Sequence, residues 1–394
     1  MDSSTRTALA VGAMALGGFG IGTTEFAAMG LLPDIAKDLQ VSEPVAGHVI
    51  SAYALGVVVG APLIAAAFAR VPRRLLLIGL MVAFTVGNGL SVFAPGYGTL
   101  LVARFVAGLP HGAFFGVAAL VAAHLAGPAG RGRAVGQVLM GLSVANVIGV
   151  PLVTWLGSAF SWRYAMGVVV VIGAVTVAAL VAFLPAVSIP VTNPLTELGA
   201  LARPQVWYAL LTGIVGFGGM FAVYTYISTT LTSVSGLGAG AVPVVLAVYG
   251  VGMVIGNAVG GRAADRSVIR SITAALGALA VLQALFSLFA PQPFAAVTLF
   301  FLIGLTASAL VPALQTRLMD VAGEAQTLAA TLNHSALNIA NALGALLGGV
   351  VIAAGGGYTA PALVGSGLAV AGLLVFGAGV LAARRGAETV GPRR

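Results

Sequence analysis

Twelve apolar runs, each long enough to cross a bilayer as a helix, divide this chain of 394 residues. A hydrocarbon core about 30 Å thick is spanned by about 20 helical residues. Charges and turn residues place the runs near 8–32, 45–69, 75–95, 99–126, 134–158 and 164–185, then near 205–233, 242–261, 271–290, 294–316, 326–354 and 360–383. Only 7% of residues are charged and 59% are hydrophobic. A soluble domain carries about a quarter charged residues, so this chain cannot cover itself with a water-facing shell. No alternating period of two recurs, which argues against a membrane β-barrel. The 55 glycines suit helices packed closely in lipid. The first run follows Arg6 like a signal peptide, but it is too long for one and further spans follow it. The reading is an all-α membrane protein.

Charge sets the expected orientation. With the N-terminus in the cytoplasm, the inner segments collect 15 of the 18 basic residues, among them Arg6, Arg70, Arg73, Arg74, Arg131, Arg133, Arg203, Arg262 and Arg266. The outer segments keep only Lys37 and Arg163, and Arg104 falls within a helix. Both termini are therefore expected inside. The net charge of +8 comes from short clusters between apolar runs, so it does not point to nucleic acid. The absence of cysteine excludes disulfides, thiol catalysis and Cys-ligated metals. No nucleotide loop or metal cluster occurs, and His48, His111, His124 and His334 are dispersed. No enzyme activity and no cofactor are expected.

The chain also repeats. A shift of 196 residues lays Tyr53, Gly56, Gly60, Arg70 and Arg74 onto Tyr249, Gly252, Gly256, Arg266 and Arg270, and Gly108 onto Gly304. A shift of 195 lays Asn146 and Gly149 onto Asn341 and Gly344. Six helices per repeat make the two halves run the same way through the membrane, a known transporter plan with the site between the halves. The expected organisation is a six-helix bundle over 1–185, a cytoplasmic linker over 186–204 and a second bundle over 205–394. The linker contains Pro190, Pro194 and a short amphipathic stretch at 195–201.

These features resemble the major facilitator superfamily, and within it the twelve-span drug–proton antiporters. Gly22-Thr23-Thr24-Glu25-Phe26, Gly30-Leu31-Leu32-Pro33-Asp34, residues 104–115 and Ser161-Trp162-Arg163-Tyr164 look like the arabinose-efflux and chloramphenicol-resistance branch. The resemblance implies a conformational latch in the loop after the second helix of each half. Its residues are Arg70 and Arg74 in the first half, and Gly261, Asp265, Arg266 and Arg270 in the second. The first copy has Ala69 where the family has Asp and Pro72 where it has Gly, and these arginines could instead only set topology. Asn146, Gly149 and Pro151 on the fifth helix are similar to the family's antiport motif, although tight packing alone would also explain them. The resemblance ties Arg104 to proton transfer.

The residues themselves single out Glu25. It lies about 10 Å below the outer end of the first helix, at a rise of 1.5 Å per residue. A carboxylate at that depth is costly unless paired, hydrated or protonated, which makes it a functional candidate; the alternative is a structural carboxyl bonded to its neighbours. Arg104 lies at similar depth and needs a carboxylate or carbonyls, and Glu25 is the one embedded acid. Arg104, Gly108 and His111 share one helix face. His111 either relays a proton or bonds a backbone carbonyl. The counterparts of Glu25 are Met220 or Phe221, and that of Arg104 is Phe300, so proton chemistry is expected in the first half alone. Phe26, Tyr53 and Asn146 are the expected substrate contacts of the first half, beside Glu25. The second half offers Phe217, Phe221, Tyr224 and Tyr226, with Asn338 and Asn341.

The expected protein is a monomeric proton-coupled exporter of a small, largely apolar molecule in the bacterial inner membrane. Sugars, nucleosides, or a proton-independent facilitator or uptake carrier are the alternatives. A non-transporting receptor ranks low.

Overall fold

The computed structural model describes residues 3–68, 70–187, 202–322 and 326–389. Among these, twelve helices are long and apolar enough to cross a membrane. We number them α1 (Thr5–Gly30), α2 (Glu43–Ala61), α3 (Arg73–Val92), α4 (Tyr97–Gly127), α5 (Gly136–Ala159) and α6 (Trp162–Phe183) in the first half. The second half holds α7 (Pro204–Thr225), α8 (Ala239–Ala264), α9 (Val268–Phe289), α10 (Pro293–Ala322), α11 (Leu332–Gly356) and α12 (Ala360–Arg385). Helices suit this setting because each backbone N–H and C=O finds its partner within the segment, leaving none for lipid to satisfy. Most of the expected linker, 188–201, lies outside the described residues, as does Ala69.

Local chemistry sets the helix ends. Ser161 and Ser267 sit in extended conformation and accept from the N–H of Arg163 and Arg270, capping α6 and α9. Gly127, at φ 67° and ψ −179°, takes a conformation open only to glycine and turns the chain after α4. The seventh run is shorter than the sequence suggested. The regular helix stops at Thr225 and the chain continues through a short helix, Ile227–Thr229, and a π-turn, Thr230–Val234. Hydroxyls compete for the backbone there: Thr230 donates to the Tyr226 carbonyl and Thr232 to that of Ser228.

The repeat read from the sequence is a repeat of contacts. A Cβ on Gly56 would collide with the Phe105 carbonyl, and one on Gly60 with that of Leu109, where α2 crosses α4. In the second half a Cβ on Gly252 would stand 2.6 Å from the Phe301 carbonyl oxygen and one on Gly256 would collide with that of Leu305, where α8 crosses α10. Each partner is displaced by the same 196 residues. Lipid lends no hydrophobic drive to helix association, so close backbone approach at small residues holds such pairs together. Large apolar side chains point outward instead, as at Leu63, Val86, Trp155, Phe294 and Leu374.

The halves meet along α2 with α11 and along α5 with α8. Ser51 on α2 donates to the Ala342 carbonyl on α11 at 3.4 Å. A Cβ on Gly250 of α8 would strike the Asn146 carbonyl on α5. The halves also touch nearer the membrane face that carries Lys37 and Asp38, hereafter the Lys37 face: a Cβ on Gly30 of α1 would stand 3.0 Å from Leu246 of α8, and one on Gly349 of α11 would stand 3.4 Å from the Pro44 carbonyl of α2. That face is also braced within the first half. Asp38 accepts from the Trp162 indole at 3.0 Å and from Arg163, which in turn donates to the Ala94 carbonyl at 3.1 Å. The bonds from Arg163 and then Trp162 hold the Asp38 carboxyl below its ordinary range. Burial raises that of Asp34 despite a bond from Ser158.

Candidate functional site

The C-terminal third of α1 is enclosed on every side: Thr23, Thr24, Glu25 and Phe26 are all buried. Successive residues on a helix point about 100° apart, so each of these side chains addresses a different neighbour. Thr24 faces the first half. Its hydroxyl donates to Asn88 Oδ1 on α3 at 2.6 Å and accepts from Arg104 Nη1 on α4 at 2.8 Å. Arg104 also donates through Nη2 to the Thr24 carbonyl at 3.1 Å and through Nη1 to Asn88 Oδ1 at 3.5 Å. Its guanidinium lies 4.4 Å from the centre of the Tyr53 ring. Arginine can be buried here because a planar fork with several donors matches several neutral acceptors at once.

Glu25 turns the other way, toward the second half. Asn341 Nδ2 on α11 donates to Glu25 Oε1 at 3.4 Å. Of the two partners the sequence offered Arg104, a carboxylate or carbonyls, the structure takes the carbonyl and a hydroxyl. No ion pair joins Arg104 to Glu25, because the residue beside Glu25 in sequence intercepts the guanidinium. Asn88 was missed, although an asparagine inside an apolar run was a signal that could have found it.

The expected face of α4 converges on one residue. Arg104 stacks on Tyr53, Gly108 lets the Tyr53 backbone approach, and His111 Nδ1 lies 3.1 Å from the Tyr53 hydroxyl. His111 thus bonds a side chain, not the backbone carbonyl expected as its alternative. Beyond it Phe115 stacks on His334 of α11, with ring centres 5.7 Å apart. The second half repeats this stack without charge: Phe300, the counterpart of Arg104, lies 4.4 Å from Tyr249, the counterpart of Tyr53.

An aromatic wall faces Glu25 from the second half. Phe26 packs against Phe221 at 6.3 Å and Tyr224 at 5.2 Å, Phe217 against Phe221 at 5.6 Å, and Tyr224 against Tyr249 at 4.8 Å. Tyr226 does not join it. It lies past the end of α7, and its hydroxyl donates to the Ala345 carbonyl at 2.9 Å on the seam near the Lys37 face. Asn146 and Asn338 spend their Nδ2 on carbonyls one turn back, those of Leu142 and His334. The Oδ1 atoms of Asn146, Asn338 and Asn341 are buried without a partner.

On α5 the motif residues make a defect. Ala145–Gly149 forms a π-turn ahead of Pro151, which has no N–H to extend the ladder. Gly149 lets Thr23 and Phe19 of α1 approach closely. The expected latch residues lie in or beside the turns that follow α2 and α8. Arg74 donates to the Val181 carbonyl at 2.7 Å, while Arg70, Arg266 and Arg270 are exposed and enter no ion pair among the described residues. Gly261 lies near the end of α8, and the Asp265 side chain is outside the described residues.

Two six-helix halves with charged and polar side chains buried where they meet define a membrane transporter, not an enzyme. The chain belongs to the Major Facilitator Superfamily, whose family model matches residues 14–330 and 234–393. It is 44% identical to the inner membrane transport protein YdhP of Escherichia coli K12, over 96% of this chain and 97% of that protein. It is 35% identical to a chloramphenicol resistance protein of Streptomyces lividans, over 89% and 91% of the two chains. The fold resembles a bacterial homologue of the human lysosomal transporter Spinster, with a TM-score of 0.68 at 14% identity over 95% of each chain. This is a multi-pass inner membrane transporter.

Proposed function

We propose that this protein exports a small, largely apolar molecule in exchange for protons by alternating access, with Glu25 carrying the proton. One observation carries the reading: the Glu25 carboxylate sits where the halves meet and takes its hydrogen bond from Asn341 of the opposite half. Protonation of Glu25 removes a charge from the seam and alters that bond, so loading it shifts the balance between two arrangements of the halves. Arg104 acts as a positioning residue that fixes α1 through Thr24, and His111 extends the polar path through Tyr53. The aromatic wall of Phe26, Phe217, Phe221 and Tyr224 suits an apolar solute, in keeping with the similarity to a chloramphenicol resistance protein.

The units are the bundles 1–185 and 205–394, moving as a monomer about the linker 186–204, with both termini cytoplasmic. Arg70, Arg74, Gly261, Asp265, Arg266 and Arg270 form the latch on the opposite face, engaged in the other state of the cycle. A second reading has its own support. Three unpartnered asparagine oxygens are acceptors, and a solute bearing hydroxyl or amide donors, such as a sugar or nucleoside, would satisfy them.

Proteoliposomes with an imposed pH gradient test the proposal. Glu25→Gln keeps the shape of the protonated acid and cannot cycle, so it should abolish concentrative export while substrate still binds. If Glu25→Gln concentrates substrate as the parent does, the carboxyl is structural and the coupling claim fails.

A further inference from the structure

The Lys37 face is shut by a contact that lies outside the site described above. Glu43 is the first residue of α2. Its carboxylate accepts a hydrogen bond from the Thr229 hydroxyl, just past the end of α7 in the other half. The Tyr358 hydroxyl, in the turn between α11 and α12, faces the same carboxylate. The Thr230 hydroxyl shares its one proton between the Tyr226 carbonyl and that of Tyr358, the latter at 3.1 Å, which links the two second-half segments into one socket.

A second feature seats the first. The Tyr226 hydroxyl lies between α2 and α11, so close that a Cβ on Gly47 or on Gly349 would stand 2.6 Å from it. It donates to the Ala345 carbonyl, so its position is set by the second half while the glycine it touches on α2 belongs to the first. The seventh run breaks at this point, and that break is what brings Tyr226, Thr229 and Thr230 onto the seam.

We propose that Glu43 is the gating residue of the Lys37 face: its carboxylate clasps Thr229 and Tyr358 across the halves, and the clasp must open before Glu25 can be reached from that side. A hydrogen bond to an ionised carboxylate is stronger than one between neutral groups, and its strength depends on holding both partners in place. A separation of the halves by even a few ångströms breaks it completely. The clasp therefore stabilises one arrangement and contributes nothing to the other, which is what a gate requires. The inference rests on alternating access but not on proton coupling or on the identity of the solute.

The chain has no cysteine, so a single reporter can read the gate. Ser51→Cys lies two turns below Glu43 on the seam and should react slowly with an impermeant maleimide applied from the Lys37 face of reconstituted protein. Adding Glu43→Ala should raise the labelling rate at least tenfold, and the near-isosteric Thr229→Val should do the same. The pair together should exceed the larger single effect by less than threefold, since both cut one contact. Gly47→Ala, which wedges α2 from Tyr226, should raise labelling by an independent route. A rate within twofold of the parent in Glu43→Ala, beside fast labelling in Gly47→Ala, overturns the clasp while leaving alternating access intact. Slow labelling in every variant overturns both. A Thr176→Cys reporter buried within the first half should stay unreactive throughout; if Glu43→Ala exposes it, the residue is structural and the proposal fails.

Discussion

Thr24 and Glu25 are bonded neighbours, yet they serve opposite halves of the molecule. The 100° between them sends the threonine to Arg104 and Asn88 and the carboxylate to Asn341. A reading by depth alone places Glu25 and Arg104 on one level and suggests a partnership. Which side chain a guanidinium meets on that level depends on helix rotation, and neutral acceptors came first. This makes a quantitative prediction. In a thermal-stability double-mutant cycle, Asn88→Leu and Arg104→Leu should couple by about 1–3 kcal/mol, as contacting buried groups do. Glu25→Gln and Arg104→Leu should couple by less, because their interaction passes through space without a shared bond. A larger coupling for the second pair would restore the direct ion pair.

Among the elements, α2 with α4 and α8 with α10 are the clearest case of the repeat acting as structure. Gly60 and Gly256 each let a leucine carbonyl of the crossing helix touch their own backbone. Gly79 on α3 and Gly277 on α9 have nothing within 4 Å of a built Cβ. Gly60→Ala and Gly256→Ala should therefore each cost about 1–3 kcal/mol through overpacking against backbone that cannot move aside. Gly79→Ala and Gly277→Ala should be neutral or stabilising by about 0.5–1 kcal/mol, since alanine favours the helix. Denaturation midpoints of the four variants check this, and equal losses at all four would discard the crossing-point account. The defect in α5 belongs to the same scale. Its π-turn and Pro151 are local, but their effect is to place the Asn146 carbonyl against Gly250 of the other half.

At the level of the whole molecule, the contacts between halves gather toward one membrane face, so this arrangement is closed at the Lys37 face. The arginine distribution leads us to expect that face on the outside. Gln292 lies in the turn between α9 and α10 on that face, and Arg262 lies near the opposite end of α8. In intact cells Gln292→Cys should react with an impermeant maleimide and Arg262→Cys should not. Reaction of Arg262→Cys alone would invert the orientation, and reaction of both from outside would break the alternation of spans.

The number of spans, their order, the repeat and the unequal charge of the two halves were all legible in the sequence. Each follows from composition summed over a whole helix, or from the spacing of small residues, and lipid leaves the backbone only the helix once the missing period of two has set the barrel aside. Phe300 in the place of Arg104 could be read from the offset alone, and it stacks on Tyr249 as Arg104 stacks on Tyr53. What the tertiary structure decided were the partners: Thr24 and Asn88 for Arg104, Asn341 for Glu25, Tyr53 for His111, and Thr229 for Glu43. The reason is geometric. A partner across 80 or 316 residues of chain depends on how far each helix is rotated and shifted against its neighbour. That rotation is set by close packing summed over the entire bundle, and no local stretch of sequence carries it.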